Sequence, residues 1–180
     1  QFRVGVQCLR HMIDPIVAAE YLTFIAEAVV ANIVPRVSRE FAKQYGTIPD
    51  GAYAVLGYGK IGSYELTPTS DLDLVAIYDA DLDGHSEGGP KSLPTSAYYI
   101  RLTQRIATAF TSLTQEGRLY TLDMRLRPSG DKGPLASSLE SFRKYQTDDA
   151  WTWEHMALSR ARLVYGSPEI RSKIEDIIKA

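Results

Sequence analysis

Apolar residues recur at helical spacing across residues 4–44, with few glycines and with Pro15 and Pro35 as punctuation, which predicts two or three helices. Asp14-Pro15 reads as an N-cap followed by proline at the first helical position, opening a helix whose Ile16, Ala19 and Phe24 face a core. Gly46 closes the segment, and Pro49-Asp50-Gly51 makes a turn into a first strand over 52–57. A second strand is predicted over 71–78, where β-formers follow Asp71-Leu72-Asp73. The polar, glycine-bearing stretch 79–94 predicts a mobile loop. Beyond it Tyr99, Leu102, Ile106, Phe110 and Leu113 form one stripe of a long helix over 95–115, terminated by Gly117.

In residues 120–127 the period changes to two: Leu122, Met124 and Leu126 alternate with Asp123, Arg125 and Arg127. That predicts a strand with an apolar face and a charged one, ended by Pro128. Ser137 with Glu140 three residues later reads as a capping box for a helix through Tyr145. Asp148 or Asp149 then caps a helix that carries Trp151, Trp153, Met156, Ala157, Leu158 and Ala161. Ser167-Pro168 opens a last helix. A small mixed or antiparallel sheet flanked by helices, an α+β fold, is the architecture these elements predict.

Composition narrows the classes. The 180 residues are 44% hydrophobic and 23% charged, the balance of an ordinary globular protein, and no apolar run is read as approaching a membrane span. The net charge of -2 offers no general field for a nucleic-acid backbone, so neither nucleic acid nor membrane is expected as a partner. One cysteine, Cys8, cannot form an internal disulfide; it reads as a core residue and fits a reducing cytoplasm. The chain opens Gln1-Phe2-Arg3 without an initiator Met or a signal-peptide pattern, which suggests a piece of a longer protein.

Gly57-Tyr58-Gly59-Lys60-Ile61-Gly62 follows a strand and matches the dinucleotide-binding fingerprint on paper. Its context excludes that reading. Only residues 63–70 separate Gly62 from Asp71, and Pro68 interrupts them, so no crossover helix fits and the two strands are expected to be antiparallel neighbours. The P-loop order is absent as well.

Asp71 and Asp73 are two apart on a predicted strand and therefore share a face. Like charges so placed call for a cation, and hard oxygen donors suit Mg²⁺. Asp123 completes a three-carboxylate set if its strand lies beside theirs. Gly62-Ser63 offers two consecutive N–H groups and a hydroxyl as a phosphate cradle. Several residues carry a plainer alternative. Lys60 binds phosphate or is a solvated turn residue; Arg125 and Arg127 contact phosphate or brace their loop; Asp123 is a ligand or an ion-pair partner of a nearby arginine. Trp151, Trp153 and His155 read as core and interdomain packing, and Arg160 and Arg162 as a solvated helix face.

Gly62-Ser63, Asp71-Leu72-Asp73-Leu74 and the later Asp123 resemble the signature of the DNA polymerase β-like nucleotidyltransferases. The wider text is more specific. Gly57-Tyr58-Gly59-Lys60-Ile61-Gly62, Ser70-Asp71-Leu72-Asp73-Leu74, Arg125-Leu126-Arg127-Pro128-Ser129-Gly130 and Ala150-Trp151-Thr152-Trp153-Glu154-His155 resemble the glutamine synthetase adenylyltransferase family over essentially the whole chain. Ser63 departs from it, since the family commonly has a second glycine there. Members are long bifunctional enzymes with two similar nucleotidyltransferase domains, one removing AMP from glutamine synthetase by phosphorolysis and one attaching it. Pro128-Ser129-Gly130 and the tryptophan-rich stretch resemble the C-terminal, attaching domain. The resemblance implies transfer of AMP from ATP to a tyrosine hydroxyl of glutamine synthetase with release of pyrophosphate. It implies Asp71, Asp73 and Asp123 as catalytic carboxylates around two Mg²⁺ ions, and Gly62, Ser63, Lys60, Arg125 and Arg127 around the phosphates. A PII-type nitrogen-signalling protein is implied as a regulator acting through the longer protein. The corresponding organisation is an N-terminal helical segment over 1–48, a catalytic core over 49–165 and the start of a further helical region over 166–180.

Overall fold

The computed structural model describes residues 1–113, 115 and 117–179; the predicted helix turn at Thr114 and the last residue of the predicted terminal helix, Ala180, lie outside them. Its elements are helices α1 (Phe2–Leu9), α2 (Pro15–Tyr45), α3 (Gly59–Gly62), α4 (Thr95–Thr111), α5 (Leu139–Lys144), α6 (Thr152–Leu158) and α7 (Pro168–Lys179), with strands β1 (Ala52–Gly57), β2 (Leu72–Asp79), β3 (Leu122–Asp123), β4 (Ala136–Ser138) and β5 (Arg162–Tyr165).

The α+β expectation holds. The strands form one mixed sheet in the order β3-β2-β1-β5, with β4 also paired to β2. β1 and β2 are antiparallel, in a register running from Ala52↔Asp79 to Gly57↔Leu74, and only the four-residue α3 and a short loop join them. That geometry disposes of the dinucleotide fingerprint, which needs parallel strands and a crossover helix. β2 is central, with β1 on one side and the short parallel strands β3 and β4 on the other.

Period-two alternation sorts the central strands onto two cores. Val55, Leu74, Ala76 and Tyr78 pack with Leu22, Ala26, Val30 and Val34 of α2 and with Tyr99, Leu102, Ile106 and Phe110 of α4. Ala54, Leu56, Val75 and Ile77 pack on the opposite face with Phe142, Leu158, Ile170 and Ile174 of α5, α6 and α7. The sheet is thus covered on both faces, and Asp73, in step with Val75 and Ile77, belongs to the second side.

Several boundaries differ from the sequence pattern, each for a local reason. α2 runs through Pro35 as one 31-residue helix. The carbonyl that Pro35 leaves without a donor belongs to Ala31, which is exposed and open to water, while the stripe from Ala18 to Phe41 holds both halves to the core. That stripe also corrects the predicted core face, because Ile16 and Phe24 are exposed and Ala18 and Leu22 are buried instead. By length and composition α2 is long and apolar enough to cross a membrane, contrary to the sequence reading. Here its apolar stripe is the lid of the first core.

The Asp14 cap is as predicted: its carboxylate accepts from the Ile16 N–H at 2.7 Å. Asp14→Ala should cost about 1 kcal/mol, a fall of roughly 2–4 °C in the thermal midpoint. α4 stops at Thr111, leaving Leu113 exposed beyond it. The stretch 79–94, expected to be mobile, is tied down. Thr47 and Glu87 exchange backbone hydrogen bonds at 2.9 Å, and Ser86 donates to the Leu93 carbonyl at 2.8 Å. Gly46 accepts this close approach, since a Cβ there would lie 1.8 Å from the Glu87 carbonyl oxygen.

The predicted strand over 120–127 shrinks to Leu122–Asp123, because the chain turns at Arg125. The capping serine is Ser138, whose hydroxyl accepts from the Ser141 N–H at 3.1 Å, one residue later than expected, and β4, which no pattern announces, ends on that same residue. α6 is not capped by an aspartate; the Glu154 carboxylate reaches back to the Trp151 N–H at 2.8 Å. Trp151, Trp153, His155 and Met156 are exposed in this chain rather than core, and Cys8 is half-exposed.

Candidate active site

At the N-terminal end of β2, two residues of β3 pair in parallel with it, and the register sets Asp73 directly opposite Asp123. Partners in such a ladder project to the same side of the sheet about 5 Å apart. Fifty positions of sequence separate these acids, yet the ladder makes them neighbours. Asp71 lies just before the strand, exposed, and close enough for its charge to act on Asp73.

The electrostatics of the three are uneven. Burial, then Asp123, then Asp71 raise the Asp73 carboxyl above the usual carboxylate range, opposed by Lys60 and Arg125. Asp123 is held below that range, chiefly by hydrogen bonds from Arg125. The Arg125 backbone N–H donates to Asp123 at 2.9 Å, and its guanidinium forks onto both carboxylate oxygens, with Nε at 3.1 and 3.0 Å and Nη2 at 2.5 Å. Among the described residues no group of three or more His, Cys, Asp or Glu side chains is drawn together as a bound metal would need. The donor chemistry nonetheless fits a hard divalent cation: the charges of Asp71 and Asp123 both bear on Asp73, opposed there by Lys60 and Arg125 and at Asp123 by Arg125 and Arg127.

Strand alternation puts two arginines on the face of Asp123; the first bonds to its carboxylate, and the second turns to its own loop. Arg125 is an exposed partner of Asp123. Arg127 is 8% exposed and braces its own loop, donating from Nη1 to the Met124 carbonyl at 2.6 Å and from Nε to the Gly133 carbonyl at 3.3 Å.

The glycine turn meets the acids through Gly59. Its φ is +52°, and a Cβ there would sit 2.5 Å from the Asp73 Oδ2, so only glycine leaves that carboxylate its place. The expected phosphate cradle is built differently from the sequence picture. The Gly62 and Ser63 N–H groups already donate to the Tyr58 and Gly59 carbonyls at 3.2 and 3.1 Å, as part of α3. Beyond those N–H groups the turn presents the Ser63 hydroxyl, which lies 3.0 Å from the Gly59 carbonyl oxygen and 2.6 Å from the Glu65 carboxylate, and Lys60, whose charge opposes the rise at Asp73 and lowers Glu65.

Sequence reasoning missed two arginines here. Arg160 and Arg162 are not a solvated helix face. Arg160 donates from Nη2 to the Ser63 hydroxyl at 2.9 Å and pairs with Glu65. Arg162 pairs with Glu27, donates to the Ile61 carbonyl at 2.9 Å and stacks its guanidinium 4.0 Å from the Tyr64 ring centroid. The run Arg162-Leu163-Val164-Tyr165, stopped by Gly166, carried a strand signal that would have lifted both residues off the helix.

A small mixed sheet covered by helices, with a glycine turn abutting an Asp-x-Asp strand and a third aspartate in register beside it, defines a nucleotidyltransferase-like α+β domain. Residues 1–177 match the model of the glutamate-ammonia ligase adenylyltransferase family. The chain belongs to that family. It is 47% identical over 179 residues to a bifunctional glutamine synthetase adenylyltransferase/adenylyl-removing enzyme of Rhodopseudomonas palustris strain HaA2, covering 99% of this chain and 18% of the relative. The proteins of that name from Mesorhizobium japonicum and Brucella suis biovar 1 are 46% and 44% identical, covering 100% and 99% of this chain and 18% of each relative. The chain therefore spans under a fifth of the length of these relatives.

Proposed function

We propose that this chain is the adenylyl-attaching nucleotidyltransferase domain of a glutamine synthetase adenylyltransferase, moving AMP from ATP to a tyrosine hydroxyl of glutamine synthetase and releasing pyrophosphate. The observation that carries the reading is the Asp73↔Asp123 register, which sets two carboxylates side by side next to the Gly59 turn.

Asp71, Asp73 and Asp123 would hold two Mg²⁺ ions, which would supply Lewis-acid polarisation of the α-phosphate and make the incoming phenol more acidic, lowering its pKa from about 10. Asp123, once Arg125 is drawn away, is the carboxylate placed to orient the phenol proton. Lys60 and the released Arg125 offset charge that builds on the phosphates during transfer. Gly59 keeps Asp73 unobstructed, and the ladder from Leu72 to Asp123 fixes the approach of the third acid. On this reading the setting is cytoplasmic, and a PII-type signalling protein acts through the longer protein.

The relatives' printed name includes an adenylyl-removing activity, so one assay carries both directions. Incubation with glutamine synthetase, α-labelled ATP and Mg²⁺ should transfer label to the synthetase, and chelation of Mg²⁺ should abolish transfer. Release of labelled ADP from adenylylated synthetase on adding phosphate, with no forward transfer, would reverse the assignment. Absence of both reactions would leave a non-catalytic nucleotide-binding module.

A further inference from the structure

Two arginines two residues apart do different work beside the glycine turn. Arg162 is a structural tie: its guanidinium joins Glu27 on α2, the Ile61 carbonyl on α3 and the Tyr64 ring, with only about a quarter of its side chain exposed. Arg160 makes no such set of contacts. Its partners are the Ser63 hydroxyl and the Glu65 carboxylate, and the two charged side chains are 54% and 58% exposed.

These contacts have the layout of an anion site with a carboxylate in it. One oxygen, Glu65 Oε2, receives both the Ser63 hydroxyl, at 2.6 Å, and the Arg160 Nη2. The same Arg160 nitrogen lies 2.9 Å from the Ser63 oxygen, so donor, hydroxyl and anion close a triangle. Hydrogen bonding from Ser63 and the charges of Arg160 and Lys60 hold Glu65 below the usual carboxylate range. Lys60 also acts on Asp73, which places the triangle on the same flank as the acidic corner. The Arg160 main chain is pressed onto the turn, for a Cβ on Gly62 would lie 2.2 Å from the Arg160 carbonyl oxygen. Its main chain is therefore fixed, while its half-exposed head group is held only by Ser63 and Glu65 among the described residues.

Resting on the nucleotidyltransferase reading, we infer that Arg160 and the Ser63 hydroxyl receive the polyphosphate of the nucleotide, and that the Glu65 carboxylate occupies that seat until the nucleotide displaces it. An exposed ion pair is weak, so it yields readily to a phosphate chain of higher charge that can engage the guanidinium fork with two oxygens. Glu65 acts as an internal competitor that keeps Arg160 aimed at the turn and sets a threshold concentration for nucleotide.

The test is calorimetric titration of the 180-residue chain with ATP, inorganic tripolyphosphate and adenosine, each with Mg²⁺. Glu65→Gln should tighten ATP and tripolyphosphate about threefold, and Arg160→Gln should weaken both about tenfold, with adenosine unchanged in each case. Arg160→Lys should recover part of the loss, because the charge returns without the fork. Equal ATP affinity in Arg160→Gln and wild type overturns the inference, as does Glu65→Gln weakening ATP, which would make Glu65 a positioning residue. Weakening of adenosine in parallel with ATP would mark a structural defect and overturn it too. Wild-type chain that binds neither ATP nor tripolyphosphate removes the nucleotidyltransferase reading itself; binding that ignores both substitutions removes only this assignment.

Discussion

Asp73→Asn should lower adenylyl transfer by on the order of a thousandfold or more while leaving the fold intact or slightly firmer. The loss follows from removing the carboxylate that has both Asp71 and Asp123 as neighbours, so that no remaining pair can take over its place. The gain in stability follows from the same crowding. Burial and the two adjacent acids raise the Asp73 carboxyl in the folded protein, so the native state binds its proton more tightly than the unfolded chain does. Stability from this group is complete below its unfolded value and falls as pH rises toward the raised folded value; above that the charged form is a standing penalty. A neutral amide removes the penalty at neutral pH. Label transfer and thermal denaturation, measured on the same variant, should therefore move in opposite directions, and a variant that loses activity together with several degrees of thermal midpoint would contradict this account.

Gly62→Ala should be the most destabilising single-methyl change at the site, at about 3 kcal/mol or more, equivalent to roughly 6–12 °C. The added carbon would stand 2.2 Å from the Arg160 carbonyl oxygen and 2.8 Å from that of Gly57. Both obstacles are main chain, so no rotamer change clears them, and β5 or α3 must shift. β5 pairs with β1 on one side and its Arg162 reaches α2, which spreads the displacement into both cores. Thermal denaturation against wild type checks the magnitude. A midpoint within a degree of wild type would mean that the close packing of the turn on Arg160 is not maintained in solution.

The parts of this fold that sequence made legible are those set by local periodicity. β1 and β2 announce themselves as apolar runs, α4 by the Tyr99–Phe110 stripe, and α7 by Ser167-Pro168. β3 was over-read because Leu122, Met124 and Leu126 keep strand alternation through residues that the Arg127 loop contacts pull into a turn. β4 is Ala-Ser-Ser and has no pattern to find. Pro35 looked like a helix end because a local cost was visible and the tertiary packing that outweighs it was not. At the site, the Asp71-x-Asp73 spacing is local and was readable, whereas the Arg160 contacts join residues 95 and 97 positions apart and exist only once β5 lies beside β1. The Gly62-Ser63 pair was found for its composition, but its N–H groups belong to α3, which composition did not reveal.

The ladder between β2 and β3 is two residues long, while the other side of β2 is paired with β1 from Leu74 to Asp79. Closing the roughly fifty-residue excursion between them costs about 3–4 kcal/mol of chain entropy, more than so brief a pairing returns unaided. The two jaws of the acidic corner are thus unequal: Asp73 sits on the central strand, its carbonyl taken by the Tyr58 N–H at 2.9 Å, and Asp123 hangs from the sheet's rim, leashed by Arg125. An assembly of this kind can alter the spacing of its carboxylates by moving one edge alone, with the scaffold beneath left at rest.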